Sequence, residues 1–149
     1  VDLTNADLTK TNLTGADLSN ADLSRADLTE ADLTGARLGN ANLIGASLIG
    51  ARLTGADLTG ADLTGADLTG AYLDGADLSW VKLTNANLTF ADLDGSNLIR
   101  TNLSGATLTE TNFYFANLNG ADLTGADLRE ANLYNADLTG AKGVKHDAN

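Results

Sequence analysis

Residues 56–70 read ADLTGADLTGADLTG, three identical pentapeptides in succession. The same five-residue period runs from Leu3 to Leu138, where leucine fills 27 of 28 slots and Phe113 fills the other. A fixed short period indicates that each unit is one structural module, stabilised by stacking on its neighbours. A period of five matches neither the 3.6 residues of a helical stripe nor the two residues of a simple strand.

The other slots of the unit are also restricted. The slot two residues before leucine is Ala in 22 of 28 units, and the slot just before leucine is Asp in 14 units and Asn in eight. Thr or Ser usually follows leucine, and the last slot is Gly in 14 units and Asn in five. In extended backbone the small residue and the leucine share one face, with Asp or Asn on the other. The pattern therefore predicts an Ala and Leu interior and a polar exterior.

The last two slots of each unit have to turn the chain. Gly and Asn supply the positive φ that a type II turn requires at its third residue. Nine units have neither residue there, and we expect most of these corners to relax to a different turn type: Lys10, Arg25, Glu30, Trp80, Phe90, Arg100, Glu110, Phe115 and Glu130.

Equal corners close the path after three, four or another small number of units, and periodicity alone does not decide between them. The units Ala6-Asp7-Leu8-Thr9, Ala16-Asp17-Leu18-Ser19 and Ala61-Asp62-Leu63-Thr64-Gly65 resemble those of the pentapeptide repeat family. The resemblance implies an all-β fold, a right-handed quadrilateral β-helix (a solenoid) with four pentapeptides per coil. The 28 pentapeptides of residues 1–140 would then form about seven coils, followed by a polar C-terminal tail, residues 141–149.

The interior of such a rod is predicted to be a packed ladder of side chains that leaves no room for a ligand. Its structural core would include Leu8, Leu63, Leu103 and Phe113. Phe113 replaces leucine in the part of the chain where Thr101 and Thr111 replace alanine. We expect local repacking there, with the buried hydroxyls bonded to backbone carbonyls.

Composition argues against an enzyme. The chain has no Cys, which excludes disulfides, thiolate catalysis and Cys-bound zinc. The only histidine, His146, lies in the tail, so neither a fixed His base nor a His-based metal site is available to the array. We assign no catalytic, cofactor-binding or metal-binding residues, and rank calcium between stacked aspartates as a weak alternative.

The net charge of −11 disfavours phosphate backbones and anionic lipid, so we expect no direct contact of the array with nucleic acid or membrane. The alternative interpretation is that the outward aspartates are only solvated groups, which also block strand addition. A chain without an initiator Met is expected to be processed or cut from something longer. We expect a cytoplasmic location, with an exported or membrane-tethered parent as the alternative. Open coil ends favour end-to-end self-association.

Departures from the consensus predict an interaction patch, provided that residues twenty apart stack. Tyr114 then lies over Tyr134 in the column of Asp74 and Asp94, with Phe115 beside it. Tyr72 and Phe90 are placed on the neighbouring edge, and Trp80 lies under Arg100. The alternative is that bulky corners merely cover the rod. The patch comprises Tyr72, Asp74, Trp80, Phe90, Asp94, Arg100, Tyr114, Phe115 and Tyr134.

The leading functional hypothesis is a non-enzymatic scaffold or protein-interaction rod with unidentified protein partners. The resemblance to regular cyanobacterial arrays implies the repeat portion of a larger protein, such as a membrane-linked one of heterocyst glycolipid formation. A DNA mimic that binds a DNA-handling protein such as gyrase is an alternative, although residues 41–60 and 81–100 each sum to zero charge. Ice binding is a third hypothesis, based on threonine rows such as Thr64, Thr84 and Thr124.

Overall fold

The computed structural model describes residues 1–144, and these residues wind as a β-helix. Twenty-five parallel bridges connect successive coils, from Asp2–Asp22 to Asp122–Lys142, and every bridge joins residues twenty apart. Twenty residues are four pentapeptides, so each unit stacks on the unit four positions earlier. Between residues 1 and 144 there is no helix, and each extended segment is a single bridged residue flanked by turns.

Each unit makes the same backbone hydrogen bonds. The N–H of Leu23 donates to the carbonyl of Asn42 at 2.7 Å, and the N–H of Asn42 donates back to the carbonyl of Ala21 at 2.9 Å. The N–H of Arg25 donates to the carbonyl of Ile44 at 2.9 Å. Within the unit, the N–H of Ala26 closes the turn on the carbonyl of Leu23 at 3.0 Å. This parallel ladder fixes the register because a shift by one residue would turn the leucines outward.

The expectation that the nine corners without Gly or Asn relax to another turn type is wrong. All nine keep the left-handed conformation, with φ between 53° at Phe115 and 62° at Phe90. This conformation costs about 1–2 kcal/mol for an ordinary residue. A corner with another turn type would lose ladder and turn hydrogen bonds, such as Lys10 N–H to Thr29 O at 2.9 Å and Thr11 N–H to Leu8 O at 3.2 Å. The repeating ladder therefore overrides the local preference of the side chain.

The bridges sort the units into four walls, which we number in chain order. The third wall consists of the units centred on Leu13, Leu33, Leu53, Leu73, Leu93, Phe113 and Leu133. Two edges bound this wall: one carries Phe90 and the other carries Phe115, each as the corner residue of its unit. A five-residue offset in sequence moves a residue to the next wall, and a twenty-residue offset keeps it on the same wall.

The interior is filled by the leucine and small slots. Leu63, Leu103 and Phe113 are fully buried, whereas Leu8 is partly buried because it lies near the start of the rod. Burying one leucine contributes about 1.5–3 kcal/mol, before the entropy of ordering the chain is subtracted. Other leucines near the two ends are likewise partly buried, namely Leu3, Leu13, Leu128, Leu133 and Leu138.

The interior hydroxyls are bonded as predicted. Thr101 Oγ1 donates to the carbonyl of Leu78 at 2.6 Å, and Thr111 Oγ1 donates to the carbonyl of Leu88 at 2.7 Å. Ser96 Oγ donates to the carbonyl of Leu93 at 2.7 Å. Because a buried unpaired hydroxyl is costly, these bonds make polar side chains tolerable in an apolar lumen.

The ladder continues past Gly140. Lys142 pairs with the last coil, since its N–H donates to the carbonyl of Ala121 at 2.9 Å. Gly143 follows with φ +72°, and a side chain there would collide with the backbone of Thr124. Residues 145–149 of the predicted tail, including His146, lie outside the described residues.

Candidate interaction surface on the third wall

An exposed aromatic cluster lies on the third wall. The rings of Tyr114 and Tyr134 are stacked, with centroids 5.8 Å apart and planes 8° apart. The ring of Phe115 meets Tyr114 edge-on at 4.5 Å and 88°. These side chains are 37%, 66% and 56% exposed for Tyr114, Tyr134 and Phe115, respectively. Aromatic pairs in these geometries add about 0.5–1.5 kcal/mol beyond area burial, so the cluster has a defined shape before any partner binds.

A ladder of side-chain amides runs beside the tyrosines. Asn132 Nδ2 donates to Asn112 Oδ1 at 3.0 Å, and Asn112 Nδ2 donates to Asp92 Oδ1 at 2.9 Å. Asn112 Oδ1 also accepts the backbone N–H of Tyr114, and Asn132 Oδ1 accepts the backbone N–H of Tyr134, each at 3.1 Å. The backbone that carries both rings is therefore held by the ladder as well as by the bridges.

Carboxylates precede the tyrosines in the same column. Asp74 and Asp94 occupy the slot that Tyr114 and Tyr134 occupy in the two coils that follow. Asp74 Oδ1 accepts the hydroxyl of Thr54 at 2.9 Å. Within residues 1–144, no hydrogen bond or ion pair reaches the carboxylate of Asp94, which is exposed. A shallow depression of about 420 Å³ lies at the start of this column, lined by Arg52, Thr54, Tyr72 and Asp74.

Acidic and aromatic units adjoin on the third wall. Its units at 71–75, 91–95, 111–115 and 131–135 contain Asp74, Asp92 and Asp94 but no Lys or Arg. The edge that carries Phe90 continues with Glu110 and Glu130 in the same column. On this wall Asp74 and Asp94 thus precede the rings of Tyr114 and Tyr134, and the nearest basic residue of the wall, Arg52, lies one coil before Tyr72.

Two buried threonines lie behind aromatic corners. The carbonyl of Leu88 accepts the hydroxyl of Thr111 and also the N–H of Ala91, which closes the turn carrying Phe90. The carbonyl of Leu78 has the same relation to Thr101 and to the turn carrying Trp80. Each hydrogen bond contributes about 0.5–1.5 kcal/mol net, which offsets much of the cost of a left-handed corner. Sequence reasoning missed this link, although its signal is present: a small-slot Thr stands 21 residues after each of these two corners.

The structure does not bring every predicted patch residue together. Tyr72 lies on the third wall itself, at a bridged position, and not on its edge. Arg100 lies over the ring of Trp80, 5.0 Å from its centroid, but on the edge between the fourth and first walls. Trp80 and Arg100 therefore form a separate cation–π pair, offset from the third wall by one unit of the coil.

The aspartates before leucine act as caps for the turns. Asp22 Oδ1 accepts the hydroxyl of Ser24 at 2.7 Å and its N–H at 3.0 Å, which lowers the pKa of this carboxyl below its ordinary value. The guanidinium of Arg129 and its backbone N–H lower the pKa of Asp127 to about 2. Hydrogen bonds to the ionised form are the cause in both cases. The capped aspartates therefore stay charged at neutral and mildly acidic pH.

Residues 1–144 offer little other chemistry. No group of three or more His, Cys, Asp or Glu side chains there is arranged to hold a metal ion. Across the same residues no helix has the length and apolarity needed to span a membrane.

The fold and surface define a β-helical repeat protein with a patterned exterior. The chain belongs to the pentapeptide repeat family: eight copies of the family's repeat match between residues 2 and 142. The family assignment made from the repeat is thereby confirmed. A search of curated proteins found no match.

Among solved structures, by contrast, several are similar to this chain. The chain is 40% identical to HetL, described as a pentapeptide repeat protein involved in heterocyst differentiation regulation, from the cyanobacterium Nostoc sp. PCC 7120. That match covers 97% of this chain and 76% of HetL, with a TM-score of 0.61. The chain is 26% identical to QnrB1, a plasmid-mediated fluoroquinolone resistance protein, over 95% of this chain and 78% of QnrB1, with a TM-score of 0.53.

Proposed function

We propose that this chain is a non-enzymatic protein-interaction rod that binds a protein partner through its third wall. The proposed rod is a right-handed, four-sided β-helix of 28 pentapeptides in seven coils. The observation that carries the proposal is the stacked, exposed pair Tyr114 and Tyr134 on a surface fixed by the amide ladder.

Physical arguments support an interface at this place. Tyr, Trp and Phe are enriched at protein interfaces, where a few aromatic side chains often supply most of the binding energy. A rigid surface also binds with less ordering cost than a flexible one. The third wall combines both properties, since exposed rings stand on a repeating ladder of hydrogen bonds.

The similarity to HetL supports the proposal. HetL is described as acting in the regulation of heterocyst differentiation, and this chain shares 40% of its residues over most of both lengths. We therefore propose a regulatory or scaffolding role, with the repeat array as the binding part of its parent protein.

Affinity capture with paired variants tests the proposal. Wild-type chain, a Tyr114→Ala/Tyr134→Ala variant and a control are immobilised, and bound proteins from a cyanobacterial extract are quantified. An Ile44→Ala/Ile49→Ala variant is the control, because it removes exposed apolar side chains from the first and second walls. The proposal expects a protein that the wild type and the control retain and the tyrosine variant loses. Equal retention by all three proteins would contradict it.

DNA mimicry is a second candidate, favoured by the fold similarity to QnrB1 and by the net charge of −11. The capped aspartates keep that charge at physiological pH. The interruptions at residues 41–60 and 81–100 weaken the likeness to a uniform phosphate track. A DNA gyrase supercoiling assay is the test: inhibition at micromolar concentrations of this protein would favour mimicry over the third-wall proposal.

The structure gives no support to ice binding. The hydroxyl of Thr64 donates to Asp62 at 2.6 Å, and the hydroxyl of Thr89 bonds to Asn87 at 2.6 Å. These donors are engaged within the unit and are not free to order water on the wall. The hydroxyls of Thr64 and Thr89 thus belong to the capped turns of their own units.

A further inference from the structure

We propose that the third wall, between Tyr72 and Tyr134, recognises an arginine-bearing segment of the partner protein. This inference rests on the proposed function and adds the chemistry of the partner. The wall presents π faces and carboxylates in one column, and these are the two groups that bind a guanidinium at the same time.

The charge of the third wall is complementary to a cationic segment. The third wall carries Asp74, Asp92 and Asp94 within four successive units and no basic residue there. Asp74 and Asp92 already accept hydrogen bonds from Thr54 and Asn112. The carboxylate of Asp94 has no partner within residues 1–144, although Lys10, Arg37, Lys82 and Arg129 each pair with an acid elsewhere on the rod. Asp94 is thus an exposed carboxylate open to an external cation.

Asp94 lies next to the tyrosine rings. The N–H of Gly95 donates to the carbonyl of Tyr114 at 2.8 Å, so Asp94 and Tyr114 stand on adjacent rungs. Rungs of a parallel ladder are about 4.8 Å apart. A guanidinium bonded to Asp94 therefore lies within reach of the Tyr114 face, and the next cation along the partner reaches Tyr134.

The interior also departs from the repeat behind this part of the wall. The unit 111–115 departs most from the repeat, with Phe113 inside, Thr111 bonded behind Phe90, and Tyr114 and Phe115 outside. Phe90 and Phe115 project from the two edges of the third wall and are 59% and 56% exposed. Interior and exterior thus depart from the repeat at the same place, where apolar edges flank the acidic column.

Other occupants fit less well. Nucleic acid and anionic lipid are repelled by the carboxylates. A second copy of this chain has a net charge of −11, and several of its basic side chains are already paired with acids. Arginine is favoured over lysine because its planar guanidinium stacks on an aromatic ring while it bonds a carboxylate.

Isothermal titration with defined peptides tests the inference. The probes are three 12-residue peptides that alternate serine with arginine, lysine or glutamine, each titrated into the full 149-residue chain. The arginine peptide is expected to bind, the lysine peptide to bind several-fold more weakly, and the glutamine peptide not to bind. Affinity for the arginine peptide should fall as salt rises.

Variants locate the site. Tyr114→Ala/Tyr134→Ala is expected to weaken binding of the arginine peptide about tenfold, by loss of two ring contacts. Asp94→Asn is expected to weaken it about threefold to fivefold through loss of one exposed ion pair. The controls are Trp80→Ala, which removes an exposed ring from another edge, and Asp27→Asn, which removes one charge from the second wall. Asn is common in the slot of Asp27, so the repeat tolerates that change.

Two results would overturn the inference: no binding of the arginine peptide, or equal weakening by Asp94→Asn and Asp27→Asn with no effect of the tyrosine variant. The second result would mean that the peptide samples the whole acidic surface. Thermal unfolding of each variant, followed by circular dichroism, shows that lost binding is not lost folding. If affinity capture still depends on Tyr114 and Tyr134 but the arginine peptide does not bind, the proposed protein-interaction role is retained and only the arginine specificity is rejected.

Discussion

Residues 21–75 and residues 80–115 share one backbone and differ in their side chains. In the first segment every central slot is Leu, every small slot is Ala, and the only exposed aromatic residue is Tyr72. The second segment carries the interior changes Val81, Ser96, Thr101, Thr111 and Phe113, and the exposed aromatics Trp80, Phe90, Tyr114 and Phe115. The twenty-residue bridges continue unchanged through both.

The features that the two segments share build the rod, and the features in which they differ give the second segment its particular surface. The ladder requires an apolar residue in the central slot, a small residue two positions before it and a turn at the end of each unit. Residues 21–75, the regular segment, contain few side chains that depart from this pattern. In the second segment, interior hydroxyls bond to turn carbonyls below bulky corners, so inside and outside change together. We infer that the irregular segment was shaped for its surface and that the interior adapted to it.

Substitutions that leave a cavity in the core should lower the free energy of unfolding most. Phe113→Ala is expected to lower the free energy of unfolding by about 3–5 kcal/mol, because it leaves a cavity in a fully buried site. Leu53→Ala, in the same column of the regular segment, should cost about 2–5 kcal/mol. Phe113→Leu restores the consensus and should cost under about 1.5 kcal/mol. Urea unfolding measures all three, and an unchanged midpoint for Phe113→Ala would place that ring outside the core.

Corners should respond differently in the two segments. Gly65 has φ +67° and open space where a Cβ would point, so Gly65→Ala is expected to cost about 1–2 kcal/mol from backbone strain alone. Glu110 already bears that strain at φ 55°, so Glu110→Ala should stay within about 0.5 kcal/mol of wild type. Thermal unfolding followed by circular dichroism compares them. A Glu110→Ala loss as large as that of Gly65→Ala would show that the corners are not equivalent.

Removal of the Thr111 hydroxyl, which bonds behind the Phe90 corner, should lower the free energy of unfolding by a smaller amount. Thr111→Val keeps the shape and removes the hydrogen bond to Leu88, with an expected cost of about 1 kcal/mol. Thr111→Ser keeps the hydroxyl and serves as the control for loss of the bond. Equilibrium urea unfolding gives the difference. If the valine variant were at least as stable as wild type and serine were not, packing and not hydrogen bonding would explain Thr111.

Acid should weaken the rod through the turn caps, which have lowered pKa values at Asp22 and Asp57 in the regular segment and at Asp127 beyond the irregular one. The pKa values of Asp22, Asp57 and Asp127 are lowered in the folded chain, so their stabilising effect is fully present above the ordinary value of 3.8. It is lost as the pH falls through the folded values, about 2 for Asp127. Unfolding midpoints measured from pH 5 to pH 2 should decline, and Asp127→Asn should decline less steeply. Rising stability over that range would contradict the caps.

Much of this architecture was predictable from sequence because the period is strict and its slots are chemically distinct. Ala and Leu at alternate positions predict the interior, and the stacked aromatics followed from a twenty-residue register. The corners were mispredicted because local propensity was given more weight than a ladder repeated at every unit. The threonine link was missed because it joins residues 23 apart in sequence through a backbone carbonyl, which side-chain type alone does not reveal.

Cross-linking in a chain that has no native cysteine tests the register directly. Thr84 and Ser104 are twenty apart on the first wall, whereas Thr84 and Ile99 are fifteen apart. Stacked rungs about 4.8 Å apart lie within the Cα separation that a disulfide spans. The four-unit coil predicts that Thr84→Cys/Ser104→Cys oxidises to an intramolecular disulfide and that Thr84→Cys/Ile99→Cys does not. Formation of the second disulfide in place of the first would contradict the coil and every surface neighbour that follows from it.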